Sequence, residues 1–148
     1  MKQEWEQAVH HGDTDRMFAL IKAGADIDAL DRYGQTALMI AARDGHAGIV
    51  DLLVAHGANL DVTAKYTLSA LMLAVINRRA DIAKVLVDAG ADITVQGAGV
   101  PGFYGKNAAE LAQDNGQPDV ASYIRRASAE SSGQTSDPVD PSVNGENR

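Results

Sequence analysis

Two cation–tyrosine pairs, Arg32-Tyr33 and Lys65-Tyr66, stand 33 residues apart, and Phe103-Tyr104 is followed closely by Lys106. Such side chains bind rather than react. Tyrosine and arginine bury a large area while keeping a polar handle, so they serve as anchors at protein interfaces. The same combination can stack nucleobases along a cationic track. Four histidines, His10, His11, His46 and His56, raise the question of a metal. Their spacing argues against one: neighbours such as His10 and His11 point in different directions on a helix.

Signatures of catalysis are missing. There is no cysteine, which excludes thiolate chemistry, disulfides and cysteine-ligated clusters. The phosphate-cradling Gly-x-x-x-x-Gly-Lys, the Gly-x-Ser-x-Gly elbow and the His-Glu-x-x-His pair are absent. The segment VQGAGVPGFYG (95–105) is glycine-rich, but it does not read as a strand leading into a phosphate-binding helix. No enzymatic activity and no cofactor are expected. A net charge of -7 disfavours nucleic acid and anionic membrane, although a local basic edge could still act. The polar start, MKQEWEQAVHHGD, holds no apolar leader, and no stretch approaches the roughly 18 apolar residues of a membrane span. A soluble cytoplasmic protein is the expectation.

The elements that must carry these residues follow from a repeat. Gly-Ala-Asp/Asn occurs at Gly24, Gly57 and Gly90, a constant step of 33 residues, each time after an apolar run. The same step lays Thr36-Ala37-Leu38-Met39-Ile40-Ala41-Ala42 over Ser69-Ala70-Leu71-Met72-Leu73-Ala74-Val75. Thr36 and Ser69 suit helix N-caps. Gly45 suits a left-handed helix stop, where Arg78 in the next unit would be strained by about 1 kcal/mol. A second helix near 47–56 presents Ile49, Val50, Leu52 and Leu53 to its neighbours. Asp26, Asn59 and Asp92 recur with the period and read as loop scaffolding. A fourth unit, beginning at Asn107-Ala108-Ala109-Glu110-Leu111-Ala112, is displaced by five extra residues within 95–105, so the third loop is longer. Pro118 suits the first position of the last helix.

The segment from Asp31 to Asp61, with Gly34, Thr36, Leu38, Ala41-Ala42, Gly45-His46, Ile49-Val50, Leu52-Leu53 and Gly57-Ala58, resembles an ankyrin repeat. The family's Thr-Pro-Leu-His is Thr36-Ala37-Leu38-Met39 in this chain. The resemblance implies an all-α ankyrin-repeat solenoid of about four helix–turn–helix repeats, at 3–29, 30–62, 63–95 and 96–126, with β-hairpin finger loops. Units that cannot bury their apolar faces alone must stack. Gln7 and Arg16 in the first unit, and Arg125 and Arg126 in the last, suit polar caps and favour a monomer.

The resemblance further implies that finger tips and the ends of the first helices bind another protein. On this sequence that surface comprises Arg32, Tyr33, Gln35, Lys65, Tyr66, Leu68, Phe103, Tyr104 and Lys106 from the fingers. The helix ends add His10, His11, Arg43, Asp44, Ile76 and Asn77. The competing use of the tyrosines is packing of one finger on the next. After a domain at 1–126, residues 127–148 are rich in Ser, Pro, Gly and acids, and an acidic, disordered tail is expected.

Overall fold

The computed structural model describes residues 1–133. Its helices are α1 (Gln3–His10), α2 (Thr14–Lys22), α3 (Ala37–Asp44), α4 (Ala47–Ala55), α5 (Ala70–Ile76), α6 (Ala80–Asp88), α7 (Ala108–Asp114) and α8 (Pro118–Gly133). Consecutive helices pair, and the pairs stack into two rows. In one row α3 packs on α1 and α5, and α5 on α7; in the other α4 packs on α2 and α6, and α6 on α8. Every described helix pair therefore shares its apolar face with a neighbour, as the repeat requires.

Local chemistry sets the helix limits. Thr36 Oγ1 accepts from the Met39 amide at 3.2 Å and Ser69 Oγ from the Met72 amide at 3.3 Å. Asn107 and Glu110 cap each other reciprocally. Each cap satisfies donors that the first helical turn leaves without partners. Gly45 closes α3 at φ 86°, ψ 24°, a left-handed conformation that glycine adopts without a Cβ clash. Arg78 takes the corresponding place after α5 at φ 59°. Its strain is offset by its guanidinium, which donates to the carbonyl of Asn115 in the following repeat.

Small residues let the rows approach. Ala41, Ala42, Ala74, Ala83, Ala112 and Ala121 are sealed from solvent beside Leu38, Leu53, Leu71, Leu86 and Ile124. Polar bonds with the same 33-residue step join successive repeats. The Asp28 carboxylate accepts from the Asn59 amide at 2.9 Å, and Asp61 from the Asp92 amide at 2.7 Å. Asp26, Asn59 and Asp92 each accept from the amide two residues on. These are the scaffolding roles that periodicity indicated. Thr94 donates to Asp92 through both its hydroxyl and its amide, and these bonds hold the Asp92 carboxyl below its ordinary pKa.

One expectation is corrected. The fingers are tight turns rather than β-hairpins: among the described residues there are no strands, only isolated bridges such as Thr63 with Ser69. The physical reason is shortness. The Asp31 amide donates to the Gln35 carbonyl, and the Asp31 carboxylate takes the Tyr33 and Gln35 amides that a longer ladder would use. The last helix continues through residue 127 to Gly133. Ala127 packs against the core, and Ala129 and Glu130 are good helix formers. The rest of the expected tail, 134–148, lies outside the described residues.

Candidate functional site

Finger tips and the C-terminal ends of α3, α5 and α7 form one face. Each finger is closed by the same backbone bond, from Asp31 N to Gln35 O, from Ala64 N to Leu68 O, and from Gly97 N to Lys106 O. The third loop keeps this closure despite its five additional residues, so the insertion projects between Gly97 and Lys106.

Chemically the face divides into halves. In the N-terminal half, polar side chains join in a chain. Gln35 Nε2 donates to Asp31 at 3.3 Å, and Arg43 Nη1 donates to Gln35 Oε1 at 3.0 Å. Arg43 Nε then pairs with Asp44 at 2.8 Å, and His10 Nδ1 stands 3.7 Å from the same carboxylate. Burial pushes the Asp44 pKa up. The hydrogen bond and charge of Arg43, with His10 and His46 behind them, outweigh it, so the carboxyl sits below its ordinary value. These groups are paired and largely preoccupied.

The C-terminal half combines an apolar wall with a polar edge. Ile76 from the end of α5, Leu111 from α7, and Gly102 and Phe103 from the inserted loop line a cavity of about 200 Å³, with Asp114 and Asn115 at its edge. Lys106 forms an ion pair with Asp114, which neutralises that edge. Asn77 turns back on its own helix, with Nδ2 donating to Leu73 O at 2.8 Å.

The aromatic residues are not equivalent. Tyr33 is 67% exposed and Tyr104 73% exposed. Tyr66 is half-buried, with its ring 6.3 Å from that of Phe103 and against Gly99, where a Cβ would stand 2.7 Å from Tyr66 Cδ1. Its carbonyl accepts from the Ala98 amide at 2.8 Å, so Tyr66 joins the second finger to the third. Packing is thus the role of Tyr66 alone among the three. The cations lie over neighbouring rings: Lys65 Nζ is 4.8 Å from the Tyr66 centroid and Arg32 Cζ 5.9 Å from that of Tyr33.

Two of the sequence-predicted residues do not join this face. Leu68 is 7% exposed and belongs to the core, because it occupies the finger base next to the buried cap Ser69. His11 lies by Glu4, Gln7 and Arg16 on the N-terminal end, away from His10 and Asp44, since adjacent helical residues diverge. Two other histidines bond to backbone carbonyls, one across repeats and one within its own helix. The His46 ring meets His10 O at 3.3 Å, and His56 Nδ1 meets Leu52 O at 2.9 Å. Among the described residues no group of three His, Cys, Asp or Glu is arranged to hold a metal. Gly102 and Leu111, which wall the cavity, are not among the sequence-predicted surface residues; the signal in the sequence is the glycine-flanked Phe103 in a loop five residues longer than its counterparts.

The architecture is that of a helical repeat protein. A family model described as "Ankyrin repeats (3 copies)" matches residues 5–97, more than half of the chain, and the chain belongs to the ankyrin-repeat family. Ankyrin repeats generally serve in binding to other proteins. A murine protein, 60 kDa lysophospholipase, is 43% identical over 47 residues, which is 32% of this chain and 8% of that relative. The chain thus spans less than a tenth of that protein's length. No helix among the described residues is long and apolar enough to cross a membrane.

Proposed function

We propose that this protein is an interaction module that binds a partner protein through its concave face and finger tips, acting as an adaptor, inhibitor or regulator. The observation that carries the reading is the pair of solvent-facing tyrosines, Tyr33 and Tyr104, on an edge that also holds Arg32, Lys65 and an apolar cavity. Exposed aromatics beside cations offer area and polar contacts at little ordering cost. The module works as a cytoplasmic monomer, a reading supported by the lack of cysteine and by the polar ends of the repeat stack. Its repeat domain spans 1–126, ending within α8.

The test is affinity capture from host lysate with the intact chain and with a Tyr33→Ala/Tyr104→Ala variant, each checked for native circular dichroism. Loss of a captured protein with the variant supports the face. Equal capture by both moves the site elsewhere on the molecule. Nucleic-acid binding is the alternative. The finger cations are few, since Lys106 is paired with Asp114, and a phosphate track needs several free ones. Strongly salt-dependent retention of oligonucleotides would favour that alternative.

A further inference from the structure

The cavity beside Phe103 gives the interaction face a direction and a chemistry. Its floor and walls, Ile76, Leu111 and Phe103, come from two successive repeats and from the insertion between them. It is set in one half of the face, while the other half is occupied by the Gln35–Arg43–Asp44–His10 chain. The cavity is open to solvent on one side, and its volume of about 200 Å³ leaves room for one Leu, Ile, Met or Phe side chain against the Ile76, Phe103 and Leu111 wall. From Phe103 the surface continues through the Tyr66 ring to the Lys65 ammonium, and one finger further to Arg32. The Asp31 carboxylate on that first finger is turned onto the Tyr33 and Gln35 amides, while the exposed cations Arg32 and Lys65 lie over the tyrosine rings of the finger tips.

Resting on the interaction-module reading, we propose that the partner contributes an extended acidic segment that anchors one large apolar side chain in the Ile76–Phe103–Leu111 cavity and runs along the fingers toward the N-terminal repeat. Spacing sets the register. Stacked helices lie about 8–10 Å apart, so adjacent fingers are separated by about that distance. An extended chain advances about 3.3 Å per residue. The segment should carry an acidic residue about three positions from its anchor, opposite Lys65. A second should follow about six positions away, opposite Arg32. Charge complementarity selects the acidic partner, and the cavity selects the single anchor.

The experiment uses the full chain, immobilised, with a displayed library of random twelve-residue peptides. Enriched peptides should share one fixed Leu, Ile, Met or Phe and acidic residues on one side of it at the stated spacings. Ile76→Asp should weaken a selected peptide at least about tenfold and abolish preference at the anchor position, while the acidic preference persists. Lys65→Glu should reverse the charge preference about three positions away and leave the anchor. If Ile76→Asp does not fold, Ile76→Ser replaces it with the same expectation. Acidic peptides that ignore Ile76, or a consensus that is basic or lacks a fixed apolar position, would overturn this proposal and leave the interaction face standing. Failure of the chain to enrich any peptide above a blank surface would overturn the proposal. If the Tyr33→Ala/Tyr104→Ala variant also captured the same protein as the intact chain, the interaction-face reading would fall separately.

Discussion

Gly45→Ala and Gly57→Ala make a matched pair that separates backbone strain from contact between repeats. Both glycines are left-handed, at φ 86° and φ 81°. An alanine at either place is destabilising by about 1 kcal/mol from its own Cβ. Beyond that the sites differ. A Cβ on Gly57 meets nothing within 4 Å, whereas one on Gly45 stands 2.8 Å from Arg79 Cζ and 2.9 Å from Arg79 Nε. The Arg79 side chain is flexible and exposed, so it moves aside. In moving it gives up its 3.3 Å bond from Nε to the Arg43 carbonyl, one of the links between the second and third repeats. A hydrogen bond of this kind contributes about 0.5–1.5 kcal/mol. Gly45→Ala should therefore exceed Gly57→Ala by roughly that amount, with Tm falling by about 2–5 °C per kcal/mol for a domain of this size. In an Arg79→Ala background the two glycine substitutions should converge. Urea titrations followed by circular dichroism and by the single tryptophan, Trp5, measure all the variants and test whether the transitions coincide. Equal effects in the native background, or a difference that survives Arg79→Ala, would refute the reasoning.

Other substitutions probe the caps, the fingers and the charges. Thr36→Ala removes a buried N-cap and should be destabilising by about 1–2 kcal/mol in the same titration, with Thr36→Ser close to neutral. Tyr66→Ala should lower Tm clearly, through loss of the Phe103 and Gly99 contacts, whereas Tyr33→Ala should change stability by less than about 0.5 kcal/mol. Equal effects of the two would contradict the division of roles along the fingers. The depressed pKa of Asp44 gives a sign for acid behaviour. Its contribution to stability is full above the unfolded carboxylate value near ~3.9 and is lost as pH falls through the lower folded value. The fall in urea midpoint between pH 6 and pH 3 should accordingly be smaller for Asp44→Asn than for the native chain.

Much of the architecture could be read from residue order because its causes are local. A cap at Thr36 or Ser69 needs only the amide three residues on, and a glycine stop needs only its own φ and ψ. The 33-residue step and the five-residue insertion are countable, and stacking follows because no unit can bury Ile40, Leu53 or Leu86 by itself. Strain at Arg78 was equally visible, since a side chain stands where the repeat places glycine. Local reading overextended itself at the fingers, where the Asp31 carboxylate took the amides of an expected hairpin.

Tertiary structure decided which repeated residues are free to bind. Tyr33 and Tyr66 have the same place in the period, yet one faces solvent and the other is held against Phe103 and Gly99. Gln35 and Leu68 also share a place, but one joins a polar chain and the other the core. Periodicity specifies position within a unit, while exposure depends on what the next unit brings against it. Here the third finger is longer than its predecessors, so the same position meets solvent before it and a wall of aromatic and glycine residues beneath it. The Ile76–Phe103–Leu111 cavity has that origin too: its walls lie up to 35 residues apart in the chain and become neighbours only when the repeats stack.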